Sequence, residues 1–184
     1  MRRKLSVAIP ASIVSDTPHL REKTSKVGLI GRAAAIFRVD EIIIFPDTTN
    51  NGLKTEMNLV STLLSYLETP QYLRKSLFKL NPDLQYAGTL PPLRTPHHPL
   101  KRRMKELKVG EFREAFTLLG TGGHVLVDIG VEQPALVRNK GLTLGKRVTV
   151  KVVKVGRHVE VELANRDEAP SYWGYTVTVE KCPF

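Results

Sequence analysis

The sequence contains one dense stretch of basic residues, between positions 94 and 108. Its cationic and imidazole side chains are Arg94, His97, His98, Lys101, Arg102, Arg103, Lys105 and Lys108. Lysine and arginine at this density neutralise phosphates and release counterions, so the stretch predicts contact with a nucleic-acid backbone. The stiff Pro91-Pro92 pair opens the segment and restrains it. A solvated basic linker without any target is the competing interpretation.

His97 and His98 are also potential metal ligands. A zinc site needs further histidine, cysteine or carboxylate side chains at ligand spacing, and the stretch has none nearby. The single cysteine, Cys182, allows neither an intrachain disulfide nor a cysteine cluster. The sequence therefore favours phosphate contacts over metal or redox chemistry.

Composition supports a polyanionic partner. The 184 residues have a formal net charge of +10, and the isoelectric point is near 9.9, which favours nucleic acid first and an acidic membrane surface second. No apolar run approaches the roughly 20 residues that cross a bilayer, and the start of the chain lacks a signal-peptide core. We therefore expect a cytoplasmic protein with no membrane partner.

Arg32 is a second candidate for chemistry. It interrupts the apolar, small-residue segment 28–37, and a charge there must reach water or an anion because a buried unpaired charge is costly. Extension to solvent, or pairing with Asp40 or Glu41, explains it equally well. Gly28 and Gly31 lie within a helical pattern and lack the strand-to-helix spacing of a dinucleotide-binding loop.

Aromatic side chains offer stacking surfaces for unpaired bases. The candidates are Tyr72, Tyr86, Tyr172, Trp173 and Tyr175. Each could instead pack in a core, and we favour the core for about half of them.

The first part of the chain alternates strand and helix patterns. Residues 5–10 and 41–45 read as strands, and 20–38 as a helix with one apolar face. A second helix and a third helix over residues 71–78 follow, the latter opened by Thr69-Pro70. The helix faces are formed by Val27, Ile30, Ala34 and Phe37, and by Met57, Val60, Leu64 and Leu67. With a return strand at 84–88, this order predicts a doubly wound α/β fold, with ligands beyond the carboxyl ends of the strands.

A different pattern begins near residue 111. Five short strands separated by glycines are predicted, which suits an OB-like Greek-key barrel. They span residues 112–118, 124–129, 135–138, 147–155 and 157–163. Residues 171–179 alternate again and are predicted to rejoin the first sheet. The predicted domains are therefore residues 1–92, a basic connector plus barrel at 93–170, and a returning strand at 171–184.

Five segments together resemble the successive signatures of one family. They are residues 5–10, the Arg32 helix, residues 69–75 from Thr69 to Lys75, residues 90–98 from Leu90 to His98, and Tyr172-Trp173-Gly174-Tyr175. In this order they are similar to the SPOUT-class RNA methyltransferases of archaea and eukaryotes. In that group an OB-like barrel is inserted in the N-terminal half of a Rossmann-like SPOUT domain with a mostly parallel sheet.

The resemblance implies an activity and a set of RNA-binding residues. It implies methyl transfer from S-adenosylmethionine to RNA, preferably to a uridine base of large-subunit ribosomal RNA. Arg32 resembles an arginine that serves catalysis or RNA positioning. The predicted RNA-binding residues are Arg74, Arg94, His97, His98, Lys101, Arg102, Arg103, Lys105, Lys108 and Trp173.

The resemblance also predicts what this chain does not do alone. In the family the donor site is a C-terminal trefoil knot in a homodimer, and the knot follows the Tyr-Trp-Gly-Tyr strand. Because this sequence ends at Phe184, we expect no binding of S-adenosylmethionine by it alone, exposed apolar surface, and an open strand edge. A separately encoded knot-containing chain, or a stand-alone role in RNA or ribosome binding, are the alternatives.

Overall fold

The protein is described by a computed structural model covering residues 3–47, 52–90, 92–121, 123–138 and 141–181. Pro91 and Cys182, named above, lie outside the described residues. The chain divides into two compact units. The α/β unit comprises Met1–Thr69, Leu80–Arg94 and Gly174–Phe184, and the barrel unit comprises Pro70–Lys79 and Thr95–Trp173.

Eight strands and three α-helices are found among the described residues. In chain order they are β1 (Ser6–Pro10), α1 (Leu20–Ile36), β2 (Glu41–Phe45), α2 (Leu53–Glu68), α3 (Gln71–Leu77), β3 (Phe112–Thr121), β4 (His124–Asp128), β5 (Ala135–Val137), β6 (Arg147–Val155), β7 (Val159–Leu163) and β8 (Thr176–Val179). Short 3-10 helices span Ala11–Val14, Pro82–Leu84, Ala87–Thr89, Met104–Glu106 and Arg166–Glu168. None of these helices is long and apolar enough to cross a membrane.

The α/β unit contains a parallel sheet with strand order β1-β2-β8. The apolar run of β2 is central, and Ile42 and Ile44 are fully buried in the core. The predicted strands at 5–10 and 41–45 are confirmed, and the last segment of the chain does pair in parallel with β2. The predicted face of α2 is also correct, since Met57, Val60, Leu64 and Leu67 are all buried.

Three predictions in this region are wrong. Residues 84–88 form no strand, because the Asn81 side chain accepts the Asp83 N–H and starts a 3-10 helix at Pro82. Thr69 does not cap α3, since its hydroxyl donates to the Ser65 carbonyl at the end of α2. Phe37 does not lie on the buried face of α1. The helix ends at Ile36, so the Phe37 side chain leaves that face and is 74% exposed.

Apolar side chains are exposed at the surface of the α/β unit. On α1 and just after it they are Leu29, Ile36 and Phe37, and at the edge strand β1 they are Leu5 and Val7. Arg32 lies on α1 among the first group and is itself exposed. The helix therefore has one face in the core and a second that is apolar and open.

The barrel unit is a closed five-stranded barrel with strand order β3-β4-β5-β7-β6. Its pairs are antiparallel except β5 and β7, which run parallel. Alternate side chains point inward and fill the interior, among them Val125, Val127, Val150 and Val152. All five predicted strands are found, and β6 has the predicted bounds.

Helix α3 belongs to the barrel unit, which differs from the predicted boundary at residue 92. The Tyr72 hydroxyl donates to the Glu114 carbonyl at 2.7 Å. The ring of Tyr72 lies against Gly130, where an added β-carbon would approach it within 2.7 Å and where φ is +79°. Glycine is required there by both the conformation and the space. These long-range contacts, which the local pattern does not reveal, join the helix to the barrel.

Candidate nucleic-acid interface

Positive charge is concentrated in the barrel unit. It has 17 lysine and arginine residues against 9 aspartate and glutamate residues, a net charge of +8. The α/β unit has 11 against 9, a net charge of +2. Most of the field that attracts a polyanion therefore comes from the barrel unit.

The basic stretch gives the barrel unit a group of exposed cations. Five lysine and arginine side chains are exposed, and we call them the basic strip: Lys101, Arg102, Arg103, Lys105 and Lys108. His98 is half-buried and His97 is fully buried. The strip lies on a segment without long helices or strands, so contacts with the barrel must determine its conformation.

Arg113 holds the start of the basic strip. Its guanidinium is only 1% exposed and donates to the Lys101 carbonyl at 3.3 Å and the Ile129 carbonyl at 3.5 Å. Its remaining donors form two bonds to one oxygen of Glu111, at 2.9 and 2.7 Å. Burial raises the pKa of Glu111, but the hydrogen bonds and charge of Arg113 outweigh it and hold that pKa below its usual value. The ion pair is thus charged and fixed at neutral pH.

Further contacts hold the rest of the strip. The Met104 N–H donates to Glu132 at 2.7 Å, and the Lys108 N–H donates to Glu111 at 3.2 Å. Leu107 is buried in the barrel core and Met104 packs against it. The backbone is therefore anchored at several points while its cationic side chains are exposed, and the ammonium of Lys101 also pairs with Glu111 at 3.3 Å.

Glu114 is the centre of a second buried polar cluster. Its carboxylate is 2% exposed and accepts hydrogen bonds from Arg147 at 2.5 Å, Thr149 at 2.9 Å and the indole N–H of Trp173 at 2.5 Å. A buried charge with several donors is stabilised rather than orphaned. The cluster fixes Trp173 at the end of the barrel unit.

Two of the predicted RNA-binding side chains are buried here: Trp173 within this cluster and His97 beside the Trp173 ring. Trp173 is 7% exposed and His97 is 0% exposed. Their ring centroids are 5.9 Å apart, and the His98 ring meets His97 edge-on at 4.4 Å. In this conformation neither buried ring offers an open face to a base.

The remaining predicted residues are distributed over both units. Arg74 is half-buried on α3 of the barrel unit, whereas Arg32 and Arg94 are exposed in the α/β unit. Within the described part of the chain, no group of three or more histidine, cysteine, aspartate or glutamate side chains is placed to hold a metal ion.

Sequence reasoning missed the charged residues that hold the strip and Trp173 in place. The predicted site residues did not include Glu111, Arg113, Glu114 or Glu132. Three of these determine the backbone of the strip: Arg113 bonds to Lys101, Glu132 to Met104, and Glu111 to Lys108. One signal was present: Arg113 and Glu114 are adjacent charges in a predicted strand, so one of them had to face the barrel interior. The structure buries both.

The carboxyl ends of β1 and β2 are the expected ligand edge of the α/β unit. There the Asp47 carboxylate accepts hydrogen bonds from the backbone and hydroxyl of Ser12. The hydroxyl bond is the larger of these effects and lowers the pKa of Asp47. The Ser15 hydroxyl donates to Glu56 at 2.6 Å, while Ala11 and Val14 are fully buried. These side chains are thus hydrogen-bonded in two pairs, Ser12 with Asp47 and Ser15 with Glu56.

Nearly the whole sequence matches one family. The profile of a family described as "Putative RNA methyltransferase" matches residues 4–182. A 28S rRNA (uridine-N(3))-methyltransferase of Homo sapiens is 34% identical over 201 residues, covering 97% of this chain and 52% of the relative. The enzyme of the same name in Drosophila melanogaster is 31% identical over 203 residues, covering 95% of this chain and 41% of the relative.

Archaeal sequences are similar as well. An uncharacterised protein of Halobacterium salinarum is 37% identical over 151 residues, covering 80% of this chain and 52% of that protein. The chain thus spans about half the length of the curated relatives it matches.

Proposed function

Because the chain belongs to the RNA methyltransferase family whose profile spans residues 4–182, we propose that it is the RNA-facing part of an enzyme that methylates a uridine base of large-subunit ribosomal RNA. The names of the eukaryotic relatives support the target. The observation that most directly supports the RNA-facing role is the anchored basic strip on a barrel unit of net charge +8.

The topology of both units supports this function. The five barrel strands follow the order 1-2-3-5-4 when numbered from β3, with the third and fifth strands parallel. This order supports an OB-like barrel, a fold that commonly binds oligonucleotides. The parallel sheet β1-β2-β8 supports the proposed SPOUT half-domain.

The basic strip is proposed to bind phosphates. Its lysines and arginines would each neutralise backbone charge, which positions RNA without reading its sequence. Arg32 and Arg94, exposed in the α/β unit, would contact the RNA nearer the target nucleotide, with Arg32 the candidate for a role in the reaction. Arg74 would add a further contact from α3.

S-adenosylmethionine supplies the methyl group in this proposal. The described side chains at the carboxyl edge of the sheet do not fit S-adenosylmethionine, because Ser12 is already bonded to Asp47 and Ser15 to Glu56. We therefore assign binding of the methyl donor to none of these four residues. The proposed contribution of the chain is to bind RNA and hold the target uridine in a fixed orientation. Fixing one reactant in this way lowers the entropic part of the activation barrier of a bimolecular reaction.

RNA binding as a function of salt tests the proposal. A fluorescently labelled RNA hairpin with a uridine-rich loop is titrated with the chain at several salt concentrations. The triple variant Arg102→Ala, Arg103→Ala, Lys105→Ala should bind more weakly. It should also flatten the plot of log affinity against log salt by up to about two units, at roughly 0.7 to 0.9 per lost phosphate contact.

A matched control separates local contacts from total charge. The variant Arg21→Ala, Lys54→Ala, Lys181→Ala removes three exposed cations from the α/β unit and should leave the salt slope nearly unchanged. Equal slopes for the two triple variants would mean that the basic strip does not touch RNA, and the proposed interface would be rejected.

A further inference from the structure

We propose that Glu132 is a positioning residue for RNA binding: its carboxylate fixes the backbone of the basic strip and so determines where Arg102, Arg103 and Lys105 meet phosphates. The inference rests on the proposed function of the strip and adds a specific residue to it. A carboxylate at a phosphate-binding surface is otherwise unexpected, because its charge repels the ligand.

Glu132 acts as a remote helix cap. The 3-10 helix Met104–Glu106 is preceded by Arg103, whose side chain makes no capping bond. The N–H of Met104, at the first position of this helix, instead donates to Glu132 at 2.7 Å across 28 residues of sequence. The amides of Glu106 and Leu107 are satisfied within the turn by the Arg103 and Met104 carbonyls, each at 3.0 Å. A carboxylate at the start of a helical turn satisfies a donor that would otherwise lack a partner in the turn.

The cap completes a set of anchors on both sides of the cations. On the N-terminal side Arg113 donates to the Lys101 carbonyl at 3.3 Å. On the C-terminal side Leu107 is 6% exposed and packs in the barrel core. The three cations, Arg102, Arg103 and Lys105, lie between these points, and the Met104 contact is the anchor that stands among them, directly between Arg103 and Lys105. Fixing them in advance reduces the ordering cost of binding.

The carboxylate of Glu132 is charged where it acts. Hydrogen bonds from its own backbone amide and from Met104 are the largest effects, and the charges of Arg103 and Lys105 add to them, so the pKa of Glu132 lies below its usual value. Glu132 therefore has two opposing effects on RNA. It orders the strip through a hydrogen bond, and it weakens the local positive potential through its charge.

Two substitutions separate these effects. Glu132→Gln removes the charge but retains a carbonyl oxygen that can accept the Met104 N–H, whereas Glu132→Ala removes both. Charge alone predicts that the two variants bind RNA equally and more tightly than the wild type. The positioning role predicts that Glu132→Gln binds as tightly as the wild type or up to about twofold more tightly, and that Glu132→Ala binds about three- to tenfold more weakly.

The experiment uses the complete chain, the labelled hairpin and a salt series, with amide hydrogen exchange at Met104 measured by NMR as a direct readout of the cap. Exchange should be faster in Glu132→Ala than in the wild type or Glu132→Gln. If both variants bind more tightly, or both lose affinity equally, the positioning role is overturned. If the wild type itself binds no RNA through the strip, the proposed function fails first, and the inference fails with it.

Discussion

Gly31 in α1 and Tyr175, immediately before β8, approach so closely that a β-carbon on Gly31 would lie 2.8 Å from the tyrosine hydroxyl. The same hydroxyl donates to the Leu64 carbonyl at 3.1 Å. The Leu67 side chain would lie 2.6 Å from the added atom. One glycine therefore permits the last segment of the chain to close against both long helices of the α/β unit.

Gly31→Ala should destabilise the protein despite replacing a helical glycine. Alanine favours the helix by up to about 1 kcal/mol, but overpacking a closed core costs about 1 to 3 kcal/mol. Tyr175 and Leu67 are each 1% exposed, so neither side chain can move aside into solvent. Urea denaturation should give a lower free energy of unfolding. Gly88→Ala, at an open and exposed position, is the control and should change it by less than about 0.5 kcal/mol. A more stable Gly31→Ala variant would show that the helices can separate at low cost.

Trp173, the only tryptophan, reports on whether its ring meets RNA. Because the ring is buried and its N–H is bonded to Glu114, we expect blue-shifted emission, weak quenching by acrylamide, and little change when saturating RNA is added. Glu114→Ala should increase acrylamide quenching by loosening the indole. Strong quenching by RNA would instead place Trp173 in the interface, as the sequence predicts.

The Glu111–Arg113 pair should make stability depend on pH. The pKa of Glu111 in the folded chain lies below its ordinary value of 4.5, so the unfolded chain binds the proton first. The stabilising contribution is therefore complete above that value and is lost as pH falls through the folded pKa. Between about pH 5 and about pH 3 the wild type should lose more unfolding free energy than Glu111→Gln. The exposed Glu162→Gln serves as the control and should parallel the wild type. Parallel curves for all three proteins would exclude this ion pair as a source of acid sensitivity.

Arg32 should affect the reaction more than RNA affinity. In a full-length member of the family, alanine at the position matching Arg32 should lower the methylation rate by a larger factor than it lowers RNA affinity. That difference indicates an interaction used mainly in the transition state. Alanine at the position matching Arg21, another exposed arginine of the same helix, should change neither. An unaltered rate at the Arg32 position would limit that residue to a structural role.

Local pattern was sufficient for most of the secondary structure. The apolar run over residues 41–45 predicts a strand covered on both faces. The apolar stripe from Met57 to Leu67 shows which face of one helix must be buried, whatever its partner. The net charge and the density of cations between residues 94 and 108 are likewise properties of composition. They predicted an exposed basic surface, and the structure exposes Lys101, Arg102, Arg103, Lys105 and Lys108.

Tertiary contacts decided the rest, because they join residues distant in sequence. Helix α3 joins the barrel through Tyr72 and Gly130, and no local period encodes that choice. Residues 84–88 turn instead of extending because a single side chain, Asn81, bonds the backbone two residues ahead. The conformation of the basic strip depends on Arg113 and Glu132, which satisfy backbone groups 12 and 28 residues away. The sequence by itself determined that these cations would be present and exposed, whereas their arrangement required the folded barrel to bring buried donors and acceptors to the strip.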